Sequence, residues 1–165
     1  MSAPSEYDEL IKLATTKYLP DYDWRLLKAQ FFAESGLNPL AVSPVGAKGI
    51  AQFMPATWKE WLKKAGFPGH DETHPEASIF TGACYMAWLV GQWSTPRPAI
   101  DRYLLAAASY NSGLGDILKA QKVAGMAVSY RLIIAALPEV EPLHAQEPIK
   151  YCKRILQLWA GEITG

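Results

Sequence analysis

Neither sign of charge predominates in this chain. Sixteen Lys and Arg balance 16 Asp and Glu over 165 residues, with no block of like charge. Proteins that bind nucleic acid or anionic membranes usually carry a basic patch, so the sequence gives no basis for either partner. Cysteine is scarce: Cys84 and Cys152 are the two present, too far apart for metal-ligand or redox spacing. Each lies in an apolar helical context, where a free thiol behaves as a small hydrophobe, which favours buried thiols over a disulfide. Long apolar runs are lacking too. ACYMAWLVGQW is the nearest approach, well short of the ~20 residues that span a bilayer, so no stable membrane insertion is expected. The opening MSAPSEYDEL has no positive stretch followed by an apolar core, so no secretory signal is expected. Strand alternation, repeats and low-complexity tracts are also missing.

What is present is an aromatic-rich globular composition, 50% hydrophobic and 12% aromatic with 19% charged, which rules out disorder. The length suits one domain over 1–165, and a chain of this size buries roughly 70% of its unfolded surface, enough for a core with a cleft. Periodicity is helical nearly throughout. A first helix is expected on Tyr7, Leu10, Ile11, Ala14 and Tyr18, with Ser5 as cap and Leu19-Pro20 as stop. Asp21 or Asp23 caps a second, carrying Trp24, Leu27, Phe31 and Phe32 and stopping near Ser35-Gly36. Residues 37–53 read as a long structured loop broken by Pro39, Pro44, Gly46 and Gly49. Pro55 starts a third helix with Trp58, Trp61 and Leu62. After a loop over 66–75, helices are expected at about 76–93, at 100–110, through Ile117 and Leu118, at 129–136 and at about 147–160. Turns are expected at Asn111–Gly115 and around Pro138 and Pro142. The fold class is therefore mostly α.

The stretch FFAESGLNPLAVSPVGAKGIAQFMPAT, residues 31–57, places Glu34 where an apolar helix ends and a glycine- and proline-rich loop begins. Two readings of it stand side by side. A glutamate at a helix end is ordinarily solvated. A glutamate crowded by Phe31, Phe32, Phe53 or Met54 would instead keep its proton, since burial disfavours the charged form. Acting as a general acid near neutral pH needs a pKa raised towards 6. A rise from about 4.3 to about 6.3 corresponds to roughly 2.7 kcal/mol, and the negative pole of the helix C-terminus acts in the same direction. Elsewhere, His70-Asp-Glu-Thr-His74 lacks the helical spacing of a zinc protease and reads as a solvated loop rather than a metal site. The tryptophans at 58, 61, 88, 93 and 159 read as core-facing.

Three segments occur in order: Glu34-Ser35; Asn38-Pro39 through Ala41 and Ser43 to Gly46–Thr57; and Ser109-Tyr110-Asn111-Ser112-Gly113. Together they resemble the soluble, goose-type-lysozyme-like lytic transglycosylases, which cleave bacterial peptidoglycan. Weaker matches at Pro75–Tyr85 and Glu147–Tyr151 extend the resemblance over about 24–156. The chain departs from the family pattern at Ala51, Ser109, Pro148 and Cys152.

The resemblance implies a lysozyme-like helical fold, Glu34 as the catalytic acid, and no metal or organic cofactor. It implies peptidoglycan glycan strands as substrate, cut at the MurNAc-GlcNAc β-1,4 bond, and the expected form is a monomer. Ser43, Gln52, Met54, Tyr110, Asn111, Glu147 and Tyr151 are the expected substrate-binding residues. Each has a plainer alternative: loop stabilisation for Ser43 and Gln52, packing for Met54, a satisfied buried hydroxyl or turn for Tyr110 and Asn111, and core or cap duty for Glu147 and Tyr151. Ordinary glycosidases need a second carboxylate, and the loop over 37–57 contains none. The family route instead closes the substrate's own C6 hydroxyl on C1, forming a 1,6-anhydro end. A goose-type lysozyme using water and a non-catalytic wall-binding module are the rival readings. A phage endolysin, held in the host cytoplasm until release to the wall, is the preferred setting; a virion-borne or secretion-delivered enzyme is next.

Overall fold

A computed structural model describes residues 3–162. It contains eight α-helices among them: α1 Asp8–Tyr18, α2 Trp24–Ser35, α3 Pro55–Lys64, α4 Pro75–Gln92, α5 Ala99–Ser112, α6 Leu114–Val123, α7 Tyr130–Val140 and α8 Gln146–Gln157. A π-helical turn, Leu158–Glu162, follows α8. Among the described residues the extended pairing is limited to two isolated antiparallel bridges, Val42 with Lys48 and Lys48 with Phe53, both inside the long loop. No described helix is long and apolar enough to cross a membrane. The chain forms two compact units, one of the residues up to Ala87 with those from Ile155 onward, the other Trp88–Arg154.

In the first unit the helix ends follow local chemistry. Asp23, in extended conformation, caps α2 by accepting the Arg25 N–H at 3.0 Å, which decides between the two candidate aspartates. Gly36 closes α2 in the left-handed region (φ 65°), its N–H donating to the Phe32 carbonyl at 2.8 Å. Pro55 opens α3 as expected, and Lys63 and Lys64 face its negative pole. The Ser5 cap is corrected: Tyr7 holds the cap position without a side-chain bond, and Ser5 contributes only its carbonyl, to the Asp8 N–H. Ser5 lies two residues upstream of the cap position that α1 uses.

Packing in this unit is built around a buried ion pair and a close approach. Lys28 is 3% exposed and its Nζ lies 2.6 Å from Asp8 Oδ1, which ties α2 to α1 and gives a buried ammonium its counter-charge. On α4, Gly82 allows the Phe31 ring to sit where a Cβ would be, 2.7 Å from Cζ. Phe53, Trp58, Trp61 and Tyr85 form an aromatic cluster, with ring centroids 5.3 Å apart for Phe53–Trp58 and 4.9 Å for Trp61–Tyr85.

The second unit packs α6 and α7 with α5, whose Ala106, Ala107 and Ala108 are fully buried, small enough for close helix contact. Trp93 is buried and its indole N–H donates to Ser109 Oγ at 3.2 Å. Two expectations fail here. Asn111 and Ser112 still belong to α5, so the expected turn shrinks to Gly113 (φ 96°), and α6 begins at once. Pro138 lies inside α7 rather than ending it, because near the C-terminus a proline forfeits only one hydrogen bond of a helix about to stop. Trp88 also departs from its expected core position, being 44% exposed. Both cysteines are free. Cys152 is buried, donates to the Leu104 carbonyl at 3.5 Å, and burial pushes its thiol up to about 12; Cys84 is half-buried.

Candidate active site

Glu34 is the penultimate residue of α2 and is half-buried. Of the apolar residues expected from sequence, Phe31 and Phe53 are buried and Phe32 is half-buried, whereas Met54 is 43% exposed. Ser35, beside it, reaches out of the helix. Its hydroxyl lies 2.8 Å from the Ile50 carbonyl and 3.2 Å from Phe31 O. One hydroxyl carries one proton, so the shorter contact takes most of it and fastens the end of α2 to the loop.

That loop is internally braced. Ser43 Oγ accepts the Ala47 N–H at 3.0 Å, and the Gln52 amide donates to Gly49 O at 2.9 Å and Ala41 O at 3.2 Å. Gln52 adopts φ +52°, uncommon for a residue with a side chain, and these bonds hold it there. Both Ser43 and Gln52 therefore carry the loop-stabilising duty foreseen as their alternative, and both remain half-exposed. Gly49 (φ +79°) runs directly against the Glu72 carbonyl, leaving no room for a Cβ.

The expected residues divide between the two units. Glu34, Ser43, Gln52 and Met54 lie in the first; Tyr110, Asn111, Glu147 and Tyr151 lie in the second. Within the second, Asn111 and Glu147 come together in a pocket of about 200 Å³ shared with Ser112, Asp116, Glu141 and His144. His144 Nδ1 lies 3.5 Å from Glu147 Oε1. Tyr110 is half-buried at the end of α5, and Tyr151 is buried on α8. Asp116, Glu141 and His144 were not singled out from sequence. Their only signal was the His144–Glu147 spacing of three, which any helix start can show.

No group of three or more His, Cys, Asp or Glu among the described residues is arranged to hold a metal ion. In the HDETH segment the two imidazoles touch edge to face (4.6 Å between centroids), and His74 Nδ1 accepts the Ala77 N–H at 3.2 Å, capping α4. The site can therefore offer a half-buried carboxyl group at a helix end fastened to a stiff polar loop, which suits acid–base chemistry.

Residues 10–132 match the family described as the transglycosylase SLT domain. The match includes Glu34 and the loop and stops before Glu147 and Tyr151. Among similar proteins, membrane-bound lytic murein transglycosylase F of Pasteurella multocida is 37% identical over 107 residues, 65% of this chain and 20% of that protein. Its namesake in Mannheimia succiniciproducens is 38% identical over 65% of this chain and 21% of that protein. The chain thus spans about a fifth of the length of these relatives. In three dimensions it is similar to the 70 kDa soluble lytic transglycosylase SLT70 of Escherichia coli, with a TM-score of 0.76 and 25% identity over 96% of this chain and 24% of that one. Lytic transglycosylase Slt of Pseudomonas aeruginosa shares the fold, with a TM-score of 0.69 over 94% of this chain and 24% of that one. With the family match covering three-quarters of its length, the chain belongs to the transglycosylase SLT domain family.

Proposed function

We propose that this chain is a peptidoglycan lytic transglycosylase in which Glu34 serves first as acid and then as base. The carboxyl proton goes to the glycosidic oxygen as the bond to C1 of MurNAc breaks, and the substrate's N-acetyl group stabilises the positive centre. The carboxylate then takes the proton of the C6 hydroxyl as that oxygen bonds to C1, leaving a 1,6-anhydro end. Because the nucleophile belongs to the substrate, effective molarity replaces a second catalytic carboxylate. Ser43, Gln52, Met54, Tyr110, Asn111, Glu147 and Tyr151 are proposed to contact the glycan.

The observation that carries this reading is the half-buried Glu34 at the end of α2, followed by a braced loop with no acidic residue from 37 to 57. Membership of the SLT family supports the substrate class. The test is Glu34→Gln beside wild type on purified sacculi, with mass spectrometry of the products. Wild type is expected to release anhydro-ended muropeptides, and the variant to lose activity by at least about 100-fold while keeping its helical circular dichroism. Reducing MurNAc ends would make the enzyme a hydrolase, and undiminished activity in the variant would remove Glu34 from the mechanism. The proposed setting, a phage endolysin delivered by a holin, is tested by co-expression: lysis should require the holin and an intact Glu34 together.

A further inference from the structure

The peptide unit joining Ile50 to Ala51 is gripped at both ends. Its carbonyl accepts from Ser35 Oγ at 2.8 Å, and its N–H donates to Ser78 Oγ at 3.1 Å. Ser35 neighbours Glu34 at the end of α2. Ser78 lies in the first turn of α4, is fully buried, and has its own N–H fixed on the His74 carbonyl at 2.9 Å. The residues on either side of the unit hold positive φ: Gly49 at +79° against the Glu72 carbonyl, and Gln52 at +52°. The plane of the 50–51 peptide turns about the bonds at Ile50 and Ala51, and outside a helix its orientation is fixed by what holds its two polar ends.

From this geometry we infer that Ser78 is a positioning residue for the Glu34 site, an inference that rests on the function proposed above. Ser35 has two acceptors within reach, Ile50 O in the loop and Phe31 O in its own helix. The loop acceptor wins while the 50–51 carbonyl points at it, and Ser78 sets that direction by taking the N–H at the other end of the same plane. Without Ser78 the plane is free to turn, and Ser35 falls back on the i−4 carbonyl of α2, as serines in helices commonly do. The link between the helix bearing Glu34 and the loop bearing Gln52 and Met54 is then lost. Ser78 touches no substrate in this account; it acts through Ser35.

The experiment compares kcat and KM on sacculi for wild type, Ser78→Ala, Ser35→Ala, the double variant and Ile79→Val, at a temperature where circular dichroism shows each folded. Ile79 is the fully buried neighbour on α4, and its trimming loosens the same helix without touching the 50–51 peptide. Ser78→Ala is expected to lower kcat roughly 10-fold or more, a loss typical of small misplacements at an active site. Ile79→Val should stay within about twofold of wild type. The double variant should be no slower than the slower single one, because both serines act on one peptide. A Ser78→Ala kcat within twofold of wild type, an equal loss in Ile79→Val, or multiplicative losses in the double variant overturns the assignment. Should Ser78→Ala not fold, Ser78→Cys keeps a weaker acceptor of similar size and is expected to give an intermediate kcat. Amide exchange needs no variant: in wild type the Ala51 N–H must exchange far more slowly than exposed loop amides, and fast exchange also overturns it. A wild type inert on sacculi would instead defeat the proposed function.

Discussion

Gly49 and Gly46 lie three residues apart in the same loop, and both have φ far into the positive region, +79° and +91°. They differ in what a side chain would meet. A Cβ on Gly46 finds nothing within 4 Å, whereas one on Gly49 would lie 1.9 Å from the Glu72 carbonyl oxygen and 3.3 Å from Ser78 Oγ. Alanine at Gly46 therefore bears the conformational cost alone, about 1–2 kcal/mol. Alanine at Gly49 bears that cost plus the displacement of a backbone carbonyl, which overpacking data put at about 1–3 kcal/mol. The predicted gap between the variants is this second quantity. At about 2–4 °C per kcal/mol for a chain of this size, Gly49→Ala should melt roughly 2–12 °C below Gly46→Ala. Thermal unfolding followed by circular dichroism measures it directly. Because Gly49 adjoins the 50–51 peptide, Gly49→Ala should also lose more activity than Gly46→Ala. Equal melting temperatures would refute the close packing of the loop on the segment before α4.

Three further perturbations separate charge from packing. Asp23 accepts from Arg25 and from the Trp159 indole, which holds its carboxyl down from 3.8 to about 2. A depressed carboxylate stabilises the fold above its unfolded pKa and loses that contribution as pH falls through its folded one. Asp23→Asn should thus cost about 1 kcal/mol near neutrality, after allowing for the half-exposed Arg25, and progressively less as pH falls from about 4 towards about 2; denaturant melts between pH 2 and 6 test this. Asp8→Asn strands the buried Lys28 ammonium and is expected to cost about 3–5 kcal/mol, while Asp8→Asn with Lys28→Met recovers most of the loss, both read as shifts in denaturation midpoint. On α4, Gly82→Ala drives a methyl into the Phe31 ring and should destabilise by about 1–3 kcal/mol, whereas Gly91→Ala, with open space around it, should stabilise by about 0.5–1 kcal/mol.

The helices were legible where the signal was local. Asp23, Gly36 and Pro55 mark ends that cap chemistry dictates, and the apolar spacing of Trp58, Trp61 and Leu62 gave the buried face of α3. Ser5 and Pro138 misled because both carry strong local preferences whose outcome depends on the register of the surrounding turns. Trp88 misled for a different reason: periodicity places a side chain on a face but does not say whether a neighbour covers it. In the site, Glu34 stood out because an acid interrupted an apolar helix end. Ser78 could not, since a serine in an apolar helix looks the same whether or not a distant N–H requires it. Long-range hydrogen bonds leave no periodic trace.

The strain in the chain is itself informative. Among described residues other than glycine, positive φ occurs at Leu37, Gln52 and Met126, and the first two bracket the loop after Glu34. Each costs about 1–2 kcal/mol, and each has a local offset: Leu37 is 3% exposed, so its burial returns a similar amount, and Gln52 spends its amide on two loop carbonyls. A loop needed only to connect two helices could adopt both conformations at little cost with glycine. Keeping side chains there fixes the loop's entry through the core and its exit through hydrogen bonds. The helix end that carries Glu34 and the backbone that follows it thus hold one shape, the stiffness that the acid role proposed for Glu34 requires.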